Sequence, residues 1–211
     1  IPFKTVTVSG TSYIVPSQPI PTSISYPLQM QVDTVYVNGV PIKLTTPFTT
    51  TFTTSSLPST IDLASLGLLA PVTVQAQDGF GKLRTDWPVT IAYNNATIAS
   101  GNGVVTVYLP LSKYLNNNYT VVVEATTVKN GSSGTTAVER EPLYVTNNSV
   151  TWSKTITVPS AVISVSVVDA FGTALSSSPV QIANRTIIIA AGTGSVTAEV
   201  LAGTYTVSAQ A

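Results

Sequence analysis

Asparagine shows the clearest chemical pattern in this chain of 211 residues, because it recurs in the N-glycosylation acceptor motif Asn-x-Ser/Thr. In secreted proteins the side-chain amide of such an asparagine carries a covalently linked glycan. Asn95 and Asn184 are expected at the same position of two internal repeats. The alternative is that these asparagines only favour turns, as Asn, Gly and Ser do. The sequence predicts N-linked glycans, and no other cofactor, at the sequons Asn95, Asn118, Asn130, Asn147 and Asn184.

The types of residue that most often perform catalysis are few or absent. The chain has neither histidine nor cysteine, which excludes a Ser-His-Asp triad, a thiol nucleophile and a thiolate metal site. Asp78 and Asp169 precede glycine-containing turns, and we interpret them as turn-forming residues because no acidic cluster surrounds them. Glu139 and Glu141 fall in one predicted strand and point the same way, unlike the facing carboxylates of a glycosidase. The sequence therefore predicts no metal site and no enzymatic activity.

Two further kinds of chemistry remain open at this point. Trp87 and Trp152 have the side chains that stack on sugars, but in a β-sandwich such residues are more often core anchors. Trp87 directly precedes a predicted strand, which favours the core. Some bacterial pilus modules form Lys-Asn isopeptide bonds, and the sequence does not pair any of its lysines with an asparagine.

The chain contains a tandem repeat, whose two copies span Val72–Ala125 and Val162–Ala209. Each copy has the same order of short strands and turns, which is typical of an array of small β modules. The shared motifs are Val-x-Val, Asp-x-Phe-Gly, Pro-Val-x-Ile, Gly-x-Val-Thr and Tyr-Thr-Val. Such arrays are more typical of scaffolds and fibres than of enzymes.

The composition fits a secreted β protein. Charged residues make up 9% of the chain, against about 25% in typical proteins. Val, Thr and Ser dominate the composition, which suits the pleated, half-buried surfaces of β-sheets. With zero net charge the chain lacks a basic stripe for nucleic acid, and no apolar run is long enough to span a membrane. Few ionisable groups predict stability in acid, although a glycan-covered protein from an ordinary habitat is the alternative. Because the chain begins at Ile1, we expect that a signal peptide has been removed.

The predicted fold class is all-β, with two immunoglobulin-like β-sandwich domains and an N-terminal donor strand. Residues 1–27 are expected to form the donor strand and a proline-rich spacer. Residues 28–158 form a larger sandwich that contains the first repeat module, and residues 159–211 form a smaller module completed by strands from elsewhere.

Local signals predict several elements inside these domains. Asn38-Gly39 predicts a β-hairpin within residues 29–54, and residues 55–71 have the pattern of one or two helical turns before Gly67. Residues 138–145 and 150–158 are predicted to pair as a second hairpin that turns at Asn147-Asn148.

The second module has five short strands, whereas a complete immunoglobulin-like sandwich has about seven. A module this short either borrows strands from elsewhere in the chain or leaves an open sheet edge, and an open edge pairs with any strand that reaches it. The donor strand is predicted to use Ile1, Phe3, Val6 and Val8. Donation into the next copy of the chain would give a head-to-tail homopolymer. The alternative is that this strand folds back onto its own domain.

The repeat motifs, ending in Gly203-Thr204-Tyr205-Thr206-Val207, resemble the carboxypeptidase-regulatory, immunoglobulin-like modules of archaeal surface proteins. The cysteine-free, charge-poor, Thr-rich composition is similar to that of proteins secreted by thermoacidophilic archaea. The N-terminal strand and its spacer resemble the donor strand of archaeal thread filaments. This resemblance implies a glycosylated, pilus-like filament subunit at the cell surface that serves adhesion or biofilm formation. A monomeric adhesin or carbohydrate-binding module, or a surface-layer component, is the alternative.

Overall fold

The computed structural model describes residues 3–8, 11–18, 25, 27–56, 58, 60–129, 132–146 and 152–210. The regular structure in these ranges is β-strand apart from two short 3-10 turns, which confirms the all-β prediction. No helix in the same ranges is long and apolar enough to cross a membrane. The strands are β1 (Phe3–Val8), β2 (Thr11–Pro16), β3 (Pro27–Val37), β4 (Val40–Thr53), β5 (Leu69–Asp78), β6 (Pro88–Tyr93), β7 (Ala96–Asn102), β8 (Val104–Pro110), β9 (Tyr119–Lys129), β10 (Ser132–Leu143), β11 (Trp152–Val158), β12 (Ser160–Ser166), β13 (Pro179–Asn184), β14 (Ile187–Thr193), β15 (Ser195–Leu201) and β16 (Thr206–Ala209).

The N-terminal residues form an antiparallel hairpin. β1 pairs with β2 along its whole length, from Phe3 opposite Pro16 to Val8 opposite Thr11. These two strands form a two-stranded sheet of their own. Most of the predicted proline spacer, residues 19–24 and 26, lies outside the described residues, as does Ile1.

The first compact unit consists of Ile1–Val72, Val107–Asn118 and Tyr144–Trp152. Its main element is the β3–β4 hairpin, and the prediction of a turn at Asn38-Gly39 is confirmed. Both turn residues have positive φ, +47° and +83°, as a two-residue hairpin turn with the right twist requires. A register shift between Val32 and Thr34 changes which residues face inward, so Leu28, Met30 and Val32 are buried before it and Val35 and Val37 after it.

The predicted helical segment is a single turn. The Leu66 amide donates to the Asp62 carbonyl over 3.2 Å, and Gly67 then takes φ +82°, which ends the turn. Residues 57 and 59 lie outside the described part. A 3-10 turn, Ser112–Tyr114, places the Tyr114 ring edge-on to Phe48 at 5.9 Å. The unit is therefore held by an apolar face of its long hairpin.

The second compact unit consists of Thr73–Thr106, Tyr119–Leu143 and Ser153–Ala211. In the first repeat module, one sheet has the order β10-β9-β6-β7 and the other the order β11-β5-β8. Trp87 is completely buried and its Nε1 donates to the Thr126 carbonyl over 3.0 Å. The prediction that Trp87 is a core anchor is therefore confirmed, whereas the side chain of Trp152 lies outside the description.

The second repeat module has the same plan with fewer strands. Its sheets have the orders β12-β15 and β14-β13-β16, so the prediction of five strands is confirmed. Residues correspond at a constant offset of 91 from Asp78 (Asp169) to Thr106 (Thr197). The correspondence extends to backbone conformation, because Gly103 and Gly194 have φ +73° and +70° and lie against backbone that leaves no room for a side chain.

The predicted pairing of residues 138–145 with 150–158 is wrong. β10 pairs with β9, starting with Ser132 opposite Lys129, and β11 lies beside β5 in the other sheet. The physical reason is that the short connection between β9 and β10 brings them together as antiparallel neighbours. The proposed turn at Asn147-Asn148 lies outside the described residues.

Candidate functional site: the open edges of the second module

The second module has two open strand edges, and the corresponding edges of the first module are covered by neighbouring strands. In the first module β5 lies between β11 and β8, and β9 lies between β10 and β6. In the second module, within the described residues, their counterparts β12 and β16 each have one neighbour, β15 and β13 respectively. Each therefore presents a row of backbone donors and acceptors along one side.

The edge at β12 exposes side chains whose counterparts in the first module are buried in the interior. Val74 and Ala76 of β5 have no exposed surface. Their counterparts Val165 and Val167 are only half-buried, although Val165 packs against the buried cluster that contains Ile182. The inner face of β12 is thus turned toward a core that remains partly open to solvent.

The edge at β16 is open in the same way. Val121 and Val123 of β9 have no exposed surface, whereas Val207, the counterpart of Val121, is 46% exposed. All four residues of β16 are exposed. A groove of about 380 Å³ lies beside this strand, lined in part by Val180, Gly192, Ser208, Ala209 and Gln210. The second module therefore has apolar surface available at both edges.

The short second module predicts an open edge but does not by itself identify the residues of that edge. The alignment of the repeats would have identified them, because the offset of 91 sets Val165 against Val74, and the shared Tyr-Thr-Val motif sets Val207 against Val121 on a strand that is flanked on both sides. The exposure of Phe171 was not predicted from the sequence. Phe171 is 95% exposed at the tip of the Asp169 turn, whereas Phe80 on the corresponding turn is 48% exposed. An exposed aromatic in the second module is a further apolar surface.

The predicted donor residues lie on one strand where they are described. Phe3, Val6 and Val8 belong to β1, and Ile1 is outside the described part.

The sequons occupy different kinds of position. Asn95 is exposed with φ +65° in the turn between β6 and β7, and Asn118 is exposed just before β9. Asn184 is half-buried at the end of β13, where its Nδ2 donates to the Thr204 carbonyl over 3.0 Å. Asn130 and Asn147 lie outside the described residues.

The expectation that Asn95 and Asn184 are equivalent is wrong. Tyr93 pairs with Ala96 at the end of the β6–β7 hairpin, and Asn184 pairs with Ile187 at the end of the β13–β14 hairpin. The strand register therefore matches Asn184 with Tyr93. Asn95 corresponds to Thr186, because the offset of 91 runs through this region without a gap.

Asp78 and Asp169 are turn-forming residues, as predicted. The Oδ1 of Asp78 accepts hydrogen bonds from the amides of Phe80 and Lys82 at 3.1 and 3.0 Å. The Oδ1 of Asp169 accepts from the amides of Phe171 and Thr173, both at 2.8 Å. The two turns are thus built by the same side-chain contacts.

These contacts couple one turn to pH. The hydrogen bond from the Thr173 amide, followed by that from Phe171, lowers the pKa of Asp169 below its ordinary value. A carboxylate with a lowered folded-state pKa stabilises the fold above its unfolded pKa of about 3.9, and that contribution is lost as pH falls through the folded pKa. The hydrogen bond from the Arg84 guanidinium lowers the pKa of Asp86 in the same direction. Acid therefore removes a stabilising contribution at both carboxylates.

Lys154 and Glu141 form an ion pair. Their Nζ and Oε2 atoms are 2.6 Å apart, and the same Nζ donates to the Pro142 carbonyl over 2.8 Å. Glu139 and Glu141 are two residues apart on β10 and share a face. Glu141 is thus engaged in a contact between β10 and β11.

No family model and no curated protein matches this chain. Among solved structures, the Bacillus anthracis TIE protein is similar to it with a TM-score of 0.34 and 14% sequence identity. The similarity covers 98% of this chain and 39% of the TIE protein chain. A similarity this distant assigns neither a family nor a function.

Proposed function

We propose that this protein is the structural subunit of an extracellular filament that polymerises head to tail by donating its N-terminal strand to the next copy. The observation that carries the proposal is the contrast between the two modules. The inner residues of β5 and β9 are completely buried, while their counterparts on β12 and β16 are half-buried or exposed. Adding a strand to an exposed edge supplies backbone hydrogen bonds and covers apolar side chains at once.

The N-terminal hairpin is suited to be the donated element. A sheet of two strands gains stability when further strands pair with it, and β1 and β2 form a sheet of two strands. Docking on a second copy would bury it. Because the donor and the acceptor lie on different parts of the same chain, the contact is heterologous and generates an open filament. We further propose a non-catalytic, thread-like role at an archaeal cell surface, in adhesion or biofilm formation.

Deletion of residues 1–8 should abolish polymerisation and leave a folded monomer. The reason is that the acceptor module remains intact while the donated strand is lost. Sedimentation velocity and negative-stain electron microscopy of the full chain and the deletion measure the result, and circular dichroism checks the fold. Filaments formed equally well by the truncated protein would refute strand donation from the N-terminus.

We also propose that the filament is N-glycosylated at the five sequons. We expect higher occupancy at Asn95 and Asn118, which are exposed, than at Asn184, whose Nδ2 donates to the Thr204 carbonyl. The Nδ2 atom is the one that a glycan would be attached to. Mass spectrometry of peptides from the native protein measures each occupancy, and bare asparagine at both Asn95 and Asn118 would contradict the proposal.

The alternative functions predict a discrete particle or a layer. A monomeric adhesin or carbohydrate-binding module sediments as one species at all concentrations. The buried position of Trp87 removes that residue as a sugar-stacking platform. A surface-layer component gives two-dimensional sheets in the same micrographs, so the imaging that tests the filament also distinguishes these candidates.

A further inference from the structure

We propose that β1 of one subunit pairs with β12 of the next, in the place that β11 occupies beside β5 in the first module. This inference rests on the proposed function, because it assumes that the N-terminal strand is donated. It adds the acceptor edge, the direction of the strand and its register.

The sequence of β1 is nearly that of β11. Residues 4–8 read Lys-Thr-Val-Thr-Val, and residues 154–158 read Lys-Thr-Ile-Thr-Val. The only difference is Val6 against Ile156, which are both β-branched and apolar. β1 therefore carries the side chains of the strand that completes the first module.

Both faces of β11 make contacts that stabilise the first module. Ile156 and Val158 have no exposed surface. On the other face, Gln75 Nε2 donates to Thr155 Oγ1 over 3.1 Å, and Gln77 Nε2 donates to Thr157 Oγ1 over 2.7 Å. Both partner numbers increase together, so β11 runs parallel to β5.

β12 contacts β15 in the same way as β5 contacts β8. The hydroxyls of Thr73 and Thr106 lie 3.1 Å apart between β5 and β8, and those of Ser164 and Thr197 lie 3.1 Å apart between β12 and β15. The side of β12 that corresponds to the β11 side of β5 has no partner among the described residues. In this position Val6 and Val8 would cover the half-buried side chain of Val165.

The competing edge at β16 fits β1 less well. Its counterpart β9 pairs with β10, whose residues 138–141 read Val-Glu-Arg-Glu and bear no resemblance to residues 4–8. β16 also spans only Thr206–Ala209, whereas β12 spans Ser160–Ser166. The length and the sequence of β1 both favour β12.

The N-terminal hairpin can be donated without being opened. β2 occupies one side of β1 in the two-stranded sheet, and among the residues that the structure describes no strand pairs with the other side of β1. The assembled sheet would have the order β2-β1-β12-β15. Ser166 and Val168 stand where Gln75 and Gln77 stand in the first module, so burial of Val6 and Val8 replaces the glutamine contacts as the main stabilising interaction.

Cysteine cross-linking tests the register, because the natural chain has no cysteine. The parallel alignment of Thr155 with Gln75 predicts that Thr5 lies beside Ser166 of the neighbouring subunit. Filaments of the double variant Thr5→Cys with Ser166→Cys, treated with a short bis-maleimide, should give a ladder of covalent multimers on a denaturing gel. The matched control, Thr5→Cys with Ser208→Cys on β16, should run almost entirely as monomer.

A second pair of variants tests the pairing of β1 with β12 without introducing cysteines. Val6→Ile makes residues 4–8 identical to residues 154–158 and should assemble at least as fast as the parent, whereas Val6→Asp should lose assembly. A ladder from the Ser208→Cys control alone, or assembly of Val6→Asp at the parent rate, would overturn the pairing with β12. Either result would leave strand donation intact, which the deletion of residues 1–8 tests separately.

Discussion

Replacing Val74 by aspartate should unfold the first module, while the same change at Val165 should leave the free subunit folded and stop its assembly. Val74 has no exposed surface, so a carboxylate there would be buried without a partner and would cost more than about 4 kcal/mol of unfolding free energy. That cost is a large share of the roughly 5–15 kcal/mol that stabilises a typical domain. Val165 is half-buried at an open edge, where the carboxylate can reach water in the monomer.

Denaturant unfolding of subunits that lack residues 1–8 measures the first effect without interference from polymerisation. Electron microscopy of the full-length variants measures the second. The matched control is Val→Thr at each position, which keeps the shape and introduces no charge. Normal filaments from Val165→Asp would show that the β12 edge lies outside the joint, and an unchanged unfolding midpoint for Val74→Asp would contradict its burial.

Replacing Trp87 by alanine should destabilise the protein by about 3–5 kcal/mol, the usual cost of removing a fully buried tryptophan. The change leaves a cavity, removes the hydrogen bond from Nε1 to the Thr126 carbonyl, and removes the ring beneath the Arg84 guanidinium, whose carbon lies 4.4 Å from the ring centroid. Trp87→Phe keeps most of the volume and should cost less.

The corresponding residue of the second module offers an internal control for Trp87. The Gly103 amide donates to the Trp87 carbonyl at 2.7 Å, and the Gly194 amide donates to the Ser178 carbonyl at 2.8 Å. Ser178 thus has the same backbone position with a small side chain, and Ser178→Ala should change stability by less than about 1 kcal/mol. Thermal unfolding followed by circular dichroism compares the variants. A Trp87→Ala variant as stable as Ser178→Ala would refute the anchor role.

Local signals in the sequence predicted local structure well. The hairpin at Asn38-Gly39 follows from turn residues that tolerate positive φ, and the burial of Trp87 follows from its place before an apolar strand. The helical turn before Gly67 is a similar case, since glycine at φ +82° ends it. Each of these features depends on residues close together in the chain.

Long-range pairing could not be predicted in the same way. The alternating pattern of β10 and β11 is compatible with either sheet, and only the partners supplied by β9 and β5 decide between them. The apparent match of Asn95 with Asn184 failed for a related reason. The shared sequon suggested that Asn95 and Asn184 are equivalent, but the strand register matches Asn184 with Tyr93 and so fixes the alignment of the repeats.

The contacts of Gln75 with Thr155 and of Gln77 with Thr157 join residues that are 80 positions apart. A ribosome adds about 5–20 residues per second, so β5 of a growing chain waits on the order of 4–16 seconds for β11 to be made. During that interval the edge of β5 that later pairs with β11 is open, as the edge of β12 is. Residues 4–8 of the same or another chain have almost the sequence of residues 154–158, which later pair with this edge. The order of synthesis therefore allows β1, the strand that we propose to join subunits, to compete with β11 for the edge of β5 before β11 has been made.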